Sequence, residues 1–413
     1  MSVDFERMLE KYAELALKVG LNFQPGQRLF VRAPIQTAPL VRLITAHAYQ
    51  LGARFVEVLW GDDQLALIRF QHAPRDSFEE FPAWVAHGMV ECAKRGDAFL
   101  TIMANDPDLL KDQDPELIAT TRKTMARYME PYSGYISRNA VTWLVISAAL
   151  PEWAAKMFPN LPHDAQQARL WDAIFATCRL DQPDPVAAWE AHIKNLVARC
   201  DDLNRKQCAA LKLTAPGTDL TIGLPKEHIW QGGHVTSETG IGFTPNLPTE
   251  EIFTLPHRER TEGMVHSSKP LNYSGTMIEN FSLTFANGRV VSVTAEKGET
   301  LLRKLIETDD GAGRLGEIAL VPYSSPVSQS GLLFYNTLFD ENAASHIAVG
   351  RGYKFSLQGG EKMSNEEFAK VGGNNSLVHV DLMIGSDKMD VDGITAIGTH
   401  EPLMRSGEWV FEV

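Results

Sequence analysis

Cysteine is scarce in this sequence and none of it is paired: four in 413 residues, Cys92, Cys178, Cys200 and Cys208, with no Cys-x-x-Cys spacing. Neither a thiolate zinc site nor a disulfide framework is expected, so a metal ion would have to be held by nitrogen and oxygen. The plain reading of these thiols is small core residues. Positive charge is also short. With 39 Lys and Arg against 52 Asp and Glu, the net charge is −13, which leaves no basic footprint for nucleic acid. No run approaches the roughly 18 apolar residues of a membrane helix. Met1 to Arg7 shows no basic segment followed by an apolar stretch, so no secretory signal is expected and the cytoplasm is the expected compartment.

What is present is the balance of a globular enzyme, 44% hydrophobic and 22% charged, in a chain long enough for two domains. Phe5, Met8, Leu9, Tyr12, Leu15, Ala16 and Val19 recur at helical spacing before Gly20, and Arg28–Arg32, Pro39–Leu51 and Phe55–Trp60 read as strand, helix and strand. A helix near Phe81–Arg95 and strands at Ala98–Met103 and Trp143–Ser147 extend the alternation. Helical stretches from Pro151 to about Leu211 follow, broken by Pro159, Pro162, Pro183 and Pro185. The spacing predicts an α/β domain with a mostly parallel sheet over residues 1–210. Beyond residue 210 the texture changes to short strands and turns. Asp219–Leu224 reads as a strand, Phe281–Phe285 and Val290–Val293 flank an Asn287-Gly288 hairpin signal, Leu301–Glu307 reads as a helix and Glu317–Val321 as a strand. Residues 211–413 are therefore expected to form an α+β, strand-rich domain.

An α/β layer invites a nucleotide site, but the loop after the first strand, Arg32 to Thr37, has no glycine to admit phosphate. The literal Gly-x-Gly-x-x-Gly at Gly311–Gly316 comes after a helix and before a strand, the reverse of the dinucleotide order. It reads as a turn that lets Glu317 enter by close backbone approach.

The chemistry-bearing stretch is Leu377-Val378-His379-Val380-Asp381. On a strand, His379 and Asp381 share a face while Val378 and Val380 pack on the other, so an imidazole and a carboxylate converge as for zinc, cobalt, manganese or magnesium. Alone, the pair also fits a solvated or hydrogen-bonded one. Further donors lie beside turns: Glu250 and Glu251 after Pro248, Glu317 opening an apolar strand, and Glu341 and His346 around Asn342 to Ser345. His346 alone would fit a satisfied core histidine. A charge at the mouth of an apolar strand needs water or a counter-charge, and a divalent ion supplies the second.

Asn246 to Phe253, the Gly316-Glu317-Ile318-Ala319 strand, Asp340 to Tyr353 and Leu377 to Asp381 together resemble, in order and spacing, the thermophilic-aminopeptidase family of metalloproteases, the aminopeptidase T and aminopeptidase S type, M29. The resemblance covers nearly the whole chain. It implies removal of residues from peptides with a free N-terminus, a dinuclear divalent-metal site with a bridging water or hydroxide, and a homodimer whose second subunit walls off the chamber. It places the metal ligands on Glu250, Glu317, His346, Tyr353, His379 and Asp381. Glu317 is the expected bridge, Glu251 and Glu341 the candidates for carrying a proton, and Tyr353 an alternative donor to the oxyanion. Whether Glu250 or Glu251 faces the ions rests on the resemblance, because adjacent residues of a strand face opposite ways. Asn342, Ser345, Arg351 and Asn375 are candidate supporting residues, and Arg258 and Arg260 could read a peptide carboxylate. The rival readings are a metal-dependent amidohydrolase of non-peptide amides and a non-catalytic metal- or peptide-binding protein.

Overall fold

Helix α1 (Val3–Leu15) forms on the expected apolar stripe, and its last turn widens into a buried π-helical turn over Ala16–Gly20. The computed structural model describes residues 3–273 and 276–411. Then come β1 (Arg28–Pro34), α2 (Ala38–Gln50), β2 (Phe55–Gly61), α3 (Asp63–His72), α4 (Ala83–Lys94), β3 (Ala98–Ile102), α5 (Pro115–Ser137), β4 (Trp143–Ile146), α6 (Pro151–Met157), α7 (His163–Thr177) and α8 (Pro185–Lys206). The four strands make one parallel sheet in the order β2-β1-β3-β4, with Val31 opposite both Val58 and Leu100, and Leu100 opposite Leu144. Parallel strands need crossover helices, and those helices cover the apolar strand faces.

Two helices go beyond the sequence expectation. Helix α3 is capped by the Asp62 carboxylate, which accepts from the Gln64 and Leu65 N–H groups. Helix α5 carries Pro131 in its interior, which interrupts the pattern by which a helix is recognised.

Contacts divide the chain into two compact units, residues 1–191 with 234–248, and residues 192–233 with 249–413. The change of texture near residue 210 falls inside the second unit, where α8 ends and β5 (Ala210–Ala215) begins. Within the first unit, β7 (Val235–Thr236) pairs with β8 (Gly242–Phe243).

The second unit holds two antiparallel sheets. The larger joins β5, β6 (Thr218–Gly223), β10 (Thr261–His266), β11 (Leu271–Tyr273), β12 (Thr276–Ala286), β13 (Arg289–Lys297), β17 (Asp390–Ile394), β18 (His400–Arg405) and β19 (Glu408–Trp409). The expected hairpin at Asn287-Gly288 joins β12 to β13, both longer than their most apolar segments. The smaller sheet runs β16-β15-β14-β9, with β9 at Ile252–Thr254, β14 at Leu315–Leu320, β15 at His346–Gly350 and β16 at His379–Met383. Ile318, Leu320, Ile347, Val349 and Leu382 from its one face enter the main apolar core, with Val378 and Val380 packed against it. The structure shows no disulfide among the four cysteines, and three of them are buried. No described helix is long and apolar enough to cross a membrane.

Candidate metal centre

The other face of the small sheet is built from charged and very small residues. Register sets Glu317 opposite Ala348 and Ala348 opposite Asp381, while His346 pairs with Ala319 and Met383, and His379 with Gly350. Alternation then puts Glu317, His346, His379 and Asp381 on one side, over a floor of Ala319, Ala348 and Gly350. The small residues leave space between the donors. Gly316 lets Glu317 in as expected, because a Cβ there would lie 2.4 Å from the Arg351 carbonyl oxygen, and the strand bulges between Leu315 and Glu317.

His346 Nε2 stands 3.2 Å from Glu251 Oε2 and 3.5 Å from Glu317 Oε1. His379 Nε2 stands 3.4 Å from Asp381 Oδ1 and 4.0 Å from Glu317 Oε2. Two donor triads result, Glu251-Glu317-His346 and Glu317-His379-Asp381, each with its ligand atoms within 4.8 Å of one another. Glu317 belongs to both, one oxygen turned to each. Both imidazoles are oriented from behind: His346 Nδ1 lies 3.1 Å from the Ala344 carbonyl and His379 Nδ1 2.7 Å from that of Arg351. A carbonyl accepts only, so Nδ1 carries the proton and a neutral ring turns an unprotonated Nε2 to the site.

Charge in the cluster is unbalanced. Burial alone would depress the His346 imidazole, but the attraction of the Glu251 and Glu317 carboxylates beside Nε2 outweighs it and raises it well above the usual value. Burial opposes the shift at His379 as well, yet the Asp381 and Glu317 carboxylates lift it to about 9. Burial pushes the Glu317 carboxyl up, and burial with Glu251 and Asp381 nearby pushes Glu341 well up. Asp381 goes the other way, because His379 overcomes its burial. Glu251 Oε2 and Asp381 Oδ1 are buried, and among the described residues no aligned hydrogen-bond donor reaches either. A metal-free cluster of this composition must take up protons, whereas cations would satisfy the bare oxygens and displace those protons. The nitrogen and oxygen donors therefore fit divalent ions.

Tyr353 follows β15, its ring 4.9 Å from that of His379 and stacked on Phe355 at 5.1 Å. Burial and the Glu317, Asp381 and Glu341 carboxylates raise its phenol, which stays protonated. Glu341, on a 3-10 turn over Glu341–Ala343, lines a cavity with His379 and Asp381.

Of the carboxylates expected as ligands, Glu250 does not join the triads. It is 2% exposed and its Oε2 lies 3.4 Å from Nε2 of His192, on α8. Its N–H donates to Asn342 Oδ1 at 2.7 Å, so Asn342 ties the segment bearing Glu251 to the turn bearing Glu341. Among the described residues the carboxylate that stands in a donor triad is thus that of Glu251, just ahead of β9, and not that of Glu250, the one expected from the resemblance. Ser345 Oγ donates to the Val321 carbonyl and Arg351 supplies the carbonyl behind His379. Asn375 bonds instead to the Asn365 carbonyl, Arg258 to Asp310, and Arg260 to the Leu224 and Ala209 carbonyls. His192 was invisible in the sequence because its helix lies far from every motif.

The family described as thermophilic metalloprotease (M29) matches residues 5–409. Aminopeptidase 2 of Geobacillus stearothermophilus is 50% identical over 409 residues, 99% of each chain, and aminopeptidase AmpS of Bacillus subtilis (strain 168) is 48% identical over 98% of this chain and 99% of its own. Among solved structures, wild-type AmpT from Thermus thermophilus superposes with a TM-score of 0.94 at 46% identity, covering 98% of this chain and 100% of that one.

Proposed function

The chain belongs to the thermophilic metalloprotease family M29 and is a metalloaminopeptidase, and we propose that it releases N-terminal residues from peptides with two divalent cations held by Glu251, Glu317, His346, His379 and Asp381. The observation that carries this reading is Glu317, whose two carboxylate oxygens face two separate donor triads. When bound, such a pair of ions would polarise the scissile carbonyl and make water acidic enough to attack at neutral pH. The chain's own side chains supply the remaining steps. His346 and His379, fixed through Nδ1, keep the donor array in place. Glu341, whose carboxyl is pushed up by burial and by the neighbouring Glu251 and Asp381 carboxylates, lines the same cavity as His379 and Asp381 and carries a proton from the attacking water to the leaving amine. Tyr353, held protonated by burial, donates to the oxygen on which negative charge develops.

The test is hydrolysis of leucine amide and short peptides by the cation-loaded protein, with N-acetylated peptides as controls. Cleavage of free but not acetylated N-termini is expected. Equal cleavage of both would point to a general amidohydrolase. The homodimer implied by the resemblance and the cytoplasmic location expected from the sequence belong to the same proposal, and sedimentation checks the first.

A further inference from the structure

A cavity of about 280 Å³ opens beside the triads, lined by Glu341, His379 and Asp381 together with Lys269, Leu271 and Tyr335. Its size falls just below the usual range of ligand clefts, roughly 300–1,000 Å³, and suits the end of a short peptide. The lining at Tyr335 is held in place by hydrogen bonds. Asp340 accepts from the Phe334 N–H at 2.7 Å and the Asn336 N–H at 3.0 Å, and between them Tyr335 sits at φ 54°. A bulky residue rarely adopts that region, so the two hydrogen bonds to one carboxylate fix Tyr335 at the cavity.

Lys269 is half-buried in this wall, and among the described residues its ammonium makes no hydrogen bond or ion pair. Burial pulls its amine below the usual lysine value, and the field of Asp340 only partly restores it. The Asp340 oxygens are already engaged by backbone N–H groups. An ammonium with three donors and no partner among the described residues, in a cavity shared with the candidate catalytic groups, can take an acceptor from the ligand.

We propose that Lys269 is the carboxylate-reading residue of the substrate pocket, pairing with a negative group of the bound peptide. This rests on the aminopeptidase reading. The carboxylate can be the C-terminus of a short peptide or an acidic side chain, and either would meet a charge-assisted hydrogen bond at Lys269.

The experiment compares kcat/KM in two arms with the cation-loaded protein. One sets Leu-Gly against Leu-Gly amide, and the other sets aspartyl and glutamyl amides against asparaginyl and glutaminyl amides. A charge-assisted contact predicts a preference of about tenfold or more for the carboxylate member in one arm, carried mainly by KM. Lys269→Met should collapse that ratio towards one, Lys269→Gln should do the same, and Lys269→Arg should keep part of it. Ratios near one in both arms of the wild type, or a preference that survives Lys269→Met and Lys269→Gln, would overturn the assignment. Failure to hydrolyse every neutral amide would instead sink the aminopeptidase reading, so the two failures are distinct.

Discussion

Glu251 and His346 meet at 3.2 Å across the edge of a four-stranded sheet, while Glu250, one residue earlier, turns to His192. Two adjacent carboxylates thus have separate duties. One offers a bare oxygen to the cluster and the other anchors the backbone that presents it.

Glu251→Gln should therefore lower divalent-ion content and cut activity at least about a hundredfold, since even supporting partners of ligands are worth 10–100-fold. Glu250→Gln should retain both ions, with a loss of roughly tenfold, the low end for a supporting residue. Elemental analysis beside kcat/KM separates them. If Glu250→Gln lost an ion and Glu251→Gln did not, the assignment of the two would be reversed.

Removing the cations should abolish activity and lower Tm, because ions that bind only the folded chain stabilise it by mass action. At a hundredfold excess over Kd one site contributes about 2.7 kcal/mol. Differential scanning calorimetry of stripped and reloaded protein measures this. An unchanged Tm would mean that the donors hold no ion.

Gly316→Ala should be destabilising by about 3 kcal/mol and should displace Glu317. The added methyl would sit 2.4 Å from the Arg351 carbonyl oxygen and 2.5 Å from that of Gly350, both backbone atoms. Urea unfolding together with activity reads it. A neutral result would show that the strand slides freely there.

Asp309 gives a pH-dependent effect. Its carboxylate accepts from the Gly311, Ala312 and Leu377 N–H groups and from Ser376 Oγ, just ahead of β16. Burial favours its neutral form, but these donors prevail and hold it below 3.8. A lowered carboxyl stabilises the fold fully above its unfolded value and loses that contribution as pH falls through the folded one. Asp309→Asn should then cost about 1 kcal/mol at pH 7 after allowance for solvent screening. The gap from wild type in urea midpoints should narrow towards pH 3. A gap constant with pH would show that the charge is immaterial.

Much of this was legible in the sequence because it is written in short periods. The His379-Val380-Asp381 alternation specifies which side chains share a face, and the strand-helix alternation before residue 150 specifies a parallel sheet. Glu250 against Glu251 was not legible. β9 starts only at Ile252, so no strand pattern spans the pair, and the deciding contacts come from His192 and Asn342, both remote in sequence. Helix α5 was hidden by Pro131, whose cost is met by tertiary packing of Leu117, Met129 and Tyr132. Lys269 carries no motif, and its role follows only from a cavity formed by distant loops.

The most direct test is anomalous scattering from crystals grown with zinc or cobalt. Two peaks roughly 3.5–4 Å apart, one on each side of the Glu317 carboxylate, are predicted. A single peak, or ions seated at Glu250 and His192 instead, would contradict the dinuclear centre.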